Sequence, residues 1–120
     1  MRRFKLDILG TTYTVSVGVD PAKDDGLDDR FGYCSQINRQ IVIADLLKID
    51  GWKDEPAFTR ERLNRQTLRH EIIHAFFYES GLWGNSFHDI GPWALNEEMT
   101  DWLAIQWPKI QDAFVQAGAV

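Results

Sequence analysis

The stretch from 57 to 80, AFTRERLNRQTLRHEIIHAFFYES, followed by Gly81, decides how the rest of the chain is read. It holds neither Gly nor Pro, and Gly81 stands where a helix C-cap wants a positive φ, so the spacing predicts one long helix. At 100° per residue Leu63, Thr67, His70, His74 and Phe77 share one face, while Leu68, Ile72, Ala75 and Phe76 share the opposite one. A helix apolar on both sides must be covered twice, by a sheet on one side and a later helix on the other.

Upstream the pattern is that of strands. Phe4, Leu6 and Ile8 alternate with Lys5 and Asp7, and after Gly10-Thr11 the segment Thr12–Val17 alternates again, which reads as a β-hairpin. Asp20 to Arg30 is a polar loop. Phe31–Gln36 and Gln40–Ala44 then form a second pair of short strands around Asn38-Arg39. Asp45–Lys48 has room for one helical turn, and Gly51–Pro56 breaks the chain before the helical half. Downstream, Pro92 suits a first helical turn, the pattern runs to Gln106, and Pro108 interrupts or restarts it, leaving a short terminal helix over 109–117. The expected class is α+β: a single domain over 1–120, with a small, mostly antiparallel sheet followed by the long helix and a second helix bearing glutamates.

Composition narrows the function. A chain of 120 residues with 44% hydrophobic and 12% aromatic side chains can bury a core. Thirteen basic against eighteen acidic residues give a net charge of −5, which argues against nucleic acid and anionic membranes as partners. Apolar runs such as Ile41–Ala44 fall far short of the roughly 20 residues of a membrane span. Met1–Asp7 begins basic without the apolar core of a signal peptide, and the single Cys34 forbids an internal disulfide, so the expected setting is the cytoplasm.

Chemistry concentrates in His70-Glu71-Ile72-Ile73-His74, an H-E-x-x-H sequence on the long helix. Histidines four residues apart on a helix project about 40° from each other, so both imidazoles can reach one metal ion, and the spacing suits a single Zn²⁺. A glutamate beside the first histidine can take the proton of a water that the ion has acidified, as that water attacks a carbonyl. Catalytic zinc takes three protein ligands, and position 80 is Ser, which removes the metzincin pattern with its third histidine. Asn96-Glu97-Glu98-Met99-Thr100-Asp101 supplies carboxylates instead. Glu97 and Asp101 share a helix face, so Glu97 can ligate while Asp101 accepts a hydrogen bond from the far nitrogen of a ligand histidine. Glu98 shares its face with Trp102 and has no such partner.

H-E-x-x-H followed on a separate helix by N-E-x-x-[ST]-D resembles the gluzincin branch of zinc metallopeptidases, the thermolysin type. The resemblance implies His70, His74 and Glu97 as zinc ligands, Glu71 as general base and Asp101 as the partner of His70. The size and order of elements are similar to the minimal zincins of phages and prophages, including the ImmA/IrrE-like and SprT-like groups, which implies a zincin-like fold. Motif likeness covers about residues 67–105. Thermolysin-type enzymes take the donor for the oxyanion from a larger C-terminal region; here the candidates for that role are His88 and Tyr78.

The leading expectation is therefore a zinc metallopeptidase acting on a peptide or protein substrate, with Gln40–Ala44 as an edge strand that receives an extended peptide. The alternative is a non-catalytic zinc-binding regulatory module of phage origin that engages a protein partner. Asp20, Asp24, Asp25, Asp28 and Asp29 miss the spacing of a calcium loop and read as a solvated segment. Arg62, Arg65 and Arg69 read as a solvated helix face. Trp83, Trp93, Trp102 and Trp107 read as packing that shields the metal's surroundings, and Cys34 as a buried thiol.

Overall fold

The computed structural model describes residues 1–85, 87, 88, 91, 92, 94 and 96–117, with the backbone alone at 87, 88, 91 and 92. Strands β1 (Arg2–Ile8) and β2 (Thr11–Val19) pair antiparallel from Arg2↔Val17 to Ile8↔Thr11. They join through Leu9-Gly10, whose φ values of 52° and 89° are both positive, as a hairpin turn matched to strand twist requires. Strands β3 (Gly32–Ser35) and β4 (Gln40–Ala44) form the second antiparallel pair, from Gly32↔Ile43 to Ser35↔Gln40. The sheet order is β1-β2-β4-β3, and β4 runs parallel to β2 from Thr14↔Gln40 onward. The sheet is therefore mixed, with two antiparallel ladders flanking one parallel ladder.

The composition of β4 explains its place. Ile41, Val42, Ile43 and Ala44 are all buried, so this strand is apolar on both faces and belongs inside a sheet. Gln40–Ala44 is consequently not the edge that the sequence suggests; the edge on that side is β3. One sheet face, with Ile8, Tyr13, Val15, Ile41 and Ile43, packs with Ala75 of helix α1 (Ala57–Glu79). The other carries Val42 and Ala44 and is covered by Leu27, which is 2% exposed. The segment read as a solvated loop thus plugs the back of the sheet. Its aspartates shape it: Asp20 and Asp24 accept hydrogen bonds from the backbone N–H of Ala22 and Gly26 at 3.0 and 2.9 Å, closing two short 3₁₀ turns, and Asp24 also accepts from the Tyr33 hydroxyl. A third such turn spans Leu46–Lys48.

Helix α1 ends at Gly81, where φ is +80°. Its last turn is pinned to the hairpin, because the Tyr13 hydroxyl donates to Glu79 Oε1 at 2.9 Å and the Thr11 hydroxyl to Glu79 Oε2 at 3.1 Å. A short helix α2 (Leu82–Asn85) follows, then the backbone pair β5 (Phe87–His88) and β6 (Gly91–Pro92). Pro92 therefore lies in a strand and does not open a helix. Helix α3 (Glu97–Gln116) begins instead at Asn96, whose side chain accepts from the Met99 N–H at 2.8 Å, and it is unbroken through Pro108. No separate terminal helix exists over 109–117; those residues continue α3 and its C-cap. Proline lacks the N–H that would meet the Ala104 carbonyl four residues back, and the Arg69 Nε–H of α1 donates to that carbonyl at 2.6 Å. Helix α1 is thus covered by β3 and β4 and by α3, as an apolar helix middle demands. Among the described residues no helix is long and apolar enough to cross a membrane.

Close approach of β3 to α1 depends on Gly32. A Cβ there would lie 2.9 Å from Ile43 Cδ1, from Thr67 Cγ2 and from the Val42 carbonyl oxygen. Gly32→Ala is expected to destabilise the fold by about 1–3 kcal/mol through overpacking, read as a lowered midpoint in urea with an unchanged slope.

Candidate metal centre

His70 and His74 sit one turn apart on α1, with ring centroids 4.7 Å apart and their Nε2 atoms 3.1 Å apart. Because Asn96 caps α3, Glu97 falls in its first turn, and its carboxylate meets both rings: Oε2 is 3.0 Å from His70 Nε2 and Oε1 is 2.9 Å from His74 Nε2. Asp101, one turn further along α3, places Oδ1 3.4 Å from His70 Nδ1. Among the described residues His70, His74 and Glu97 form a group able to hold a metal ion, their ligand atoms all within 4.8 Å of one another. The adjacent Glu98 is exposed and stands outside it.

The donor set fits zinc. Neutral imidazole nitrogen and carboxylate oxygen are its common ligands, and bonds of about 2.0–2.2 Å in a tetrahedron put ligand atoms roughly 3.3–3.5 Å apart, a few tenths beyond the spacing found here. Asp101 completes the arrangement, because a proton held on His70 Nδ1 leaves the Nε2 lone pair for an ion. The grouping alone is able to hold a cation and does not specify a reaction.

Burial sets the electrostatics. The His70 and His74 side chains are 15% and 10% exposed, while that of Glu97 is 69% exposed. Burial lowers the proton affinity of His74, with help from His70 and against the pull of Glu97. Glu71 is 7% exposed, and burial pushes its carboxyl up to about 7; nearby Glu97 raises it further, while His70 and Arg30 oppose the rise. Both glutamates and both histidines line a groove of about 760 Å³ between α1 and the edge strand β3, with Asp101 beside them and Gly32, Tyr33 and Cys34 opposite. The Cys34 thiol is partly rather than fully buried, and it is pushed up to about 12 by burial and by Glu71 and Glu79.

Other residues fall elsewhere. Tyr78 does not line the groove; its ring packs against Trp83 at 5.4 Å between centroids. His88 has its backbone in β5, and its side chain lies outside the described residues, as does all of Trp93. Trp102 and Trp107 are 57% and 42% exposed, so they do not shield the donors. Arg65 keeps to the solvated face, paired with Glu61 at 3.4 Å, but Arg69 turns in to the Ala104 carbonyl. Sequence reasoning misses that bond, although Pro108 announces an orphaned carbonyl four residues earlier. It also misses Arg30, Gln36 and Gln66, which line the groove and carry no local pattern. Comparison with known proteins found no matching family model, no matching curated protein and no matching solved structure.

The bond from Arg69 joins the turn before His70 to the helix that carries Glu97. Arg69→Met is expected to cost about 1–3 kcal/mol by leaving the Ala104 carbonyl without its donor. In a Pro108→Ala background, where the helix supplies its own N–H, the same change is expected to cost less; urea unfolding of the double-mutant cycle reads the difference.

Proposed function

We propose that this protein is a zinc-dependent peptidase. The observation that carries the reading is the convergence of His70, His74 and Glu97 from two helices, with the buried Glu71 beside them in a groove that runs along a sheet edge. A structural ion is better served by a closed set of ligands, whereas these donors face a groove of about 760 Å³.

A bound zinc ion would supply a Lewis acid and an acidified water at these donors. The chain's own residues do the rest. His70 and His74 offer Nε2 lone pairs, and Asp101 holds the His70 tautomer through Nδ1. Glu71, next in sequence to His70, accepts the proton of the attacking water on its carboxylate and returns it to the leaving amine. Among the described residues strand β3 has one unpaired edge, which suits antiparallel docking of an extended peptide across the groove. The likeness of His70–His74 and Asn96–Asp101 to gluzincin motifs supports the same assignment.

Glu71→Gln is expected to keep one zinc per chain while lowering peptide hydrolysis by at least about 10²-fold, the scale of a lost general base. Elemental analysis and cleavage of a quenched fluorescent peptide library read the two effects. Activity that survives the substitution would remove Glu71 from its role.

A further inference from the structure

Arg30 occupies a junction. It lines the metal groove, and with Phe31 it also lines a second cavity of about 740 Å³ whose wall includes Asp25, Asp28, Lys48 and Trp52. Its backbone is held firmly on both sides. The Arg30 N–H donates to the Leu27 carbonyl at 3.2 Å, Leu27 is buried, and the Phe31 carbonyl accepts from Ala44 at 2.8 Å. The Phe31 ring meets Trp52 edge-on at 5.6 Å. From this fixed root the side chain is exposed, and among the described residues it makes no ion pair and no side-chain hydrogen bond. Among the described lining residues it is also the groove's sole Arg or Lys, in a wall that includes Glu71, Glu97 and Asp101.

A guanidinium presents a planar fork of N–H donors that matches a carboxylate with two parallel bonds. Arg30 precedes Gly32, the first residue of the edge strand, by two positions, so a peptide paired along β3 passes it on entering or leaving the groove. We propose that Arg30 is a carboxylate-binding residue of the groove, receiving either an acidic side chain or the free C-terminus of a peptide that lies along β3. The inference rests on the peptidase reading and adds its substrate class.

The test uses three tripeptides of equal length, each capped with a zinc-binding hydroxamate: one with Gln and an amidated C-terminus, one with Glu and an amidated C-terminus, and one with Gln and a free C-terminus. Each is titrated calorimetrically into zinc-loaded wild type, Arg30→Ala and Arg30→Lys. One of the two carboxylate peptides is expected to bind wild type about tenfold tighter than the neutral one, and which one it is separates a side-chain from a terminal carboxylate. The advantage is expected to vanish in Arg30→Ala and to survive in part in Arg30→Lys. Equal affinity of all three peptides for wild type, or an advantage that persists in Arg30→Ala, overturns the assignment and leaves the metal site standing. Failure of every hydroxamate to bind overturns the peptidase reading, and the role of Arg30 with it.

Discussion

Two imidazole nitrogens and one carboxylate crowd to within 2.9–3.1 Å of each other where α1 meets α3. Groups that all carry lone pairs repel at that range unless protons or a cation sit among them. The remainder of the structure serves to hold them there. The i, i+4 spacing on α1 sets the two rings side by side, and the Asn96 cap starts α3 where Glu97 can reach both. Neither helix can do this alone, so the site exists only as far as the helix pair is kept in register.

Two features keep it so. The Arg69 bond to Ala104 fastens α3 to α1 one residue before His70, at the carbonyl that Pro108 leaves without a partner. On the other side, the missing side chain at Gly32 lets β3 approach Thr67, one turn before His70. The groove is thus walled by the edge strand on one side and by the glutamate helix on the other, with Glu71 on α1 between them. A proline that looks like a helix breaker and a glycine at the start of an edge strand both contribute to the geometry around the histidines.

What the sequence makes legible follows from the range of the interactions. The hairpin, the helix Ala57–Glu79 and the meeting of His70, His74, Glu97 and Asp101 rest on periods of 2 and 3.6 and on spacings of a few residues, which local sequence expresses directly. The parallel pairing of β2 with β4 joins segments far apart in the chain, so the interior place of Gln40–Ala44 is hidden until the four strands are assembled; its unbroken apolar run is the only local sign. Pro108 misleads for the same reason, since the donor that rescues its helix is Arg69, 35 residues before the Ala104 carbonyl it meets. The outward tryptophans Trp102 and Trp107, the Leu27 plug and the position of Arg30 likewise depend on tertiary contacts that no window of sequence contains. The spacing within His70–His74 and Asn96–Asp101 points to the candidate donors, while the fold's topology and the groove wall come from the structure.

The proposal that His70, His74 and Glu97 hold a single divalent ion is put to the test by zinc K-edge X-ray absorption of protein stripped with a chelator and reloaded with one equivalent. The account predicts one tightly held zinc per chain in a shell of nitrogen and oxygen, with the scattering signature of two imidazoles in wild type and of one or none in His74→Ala. A chain that retains no zinc, a sulfur ligand from Cys34, or a shell unchanged by His74→Ala would contradict it.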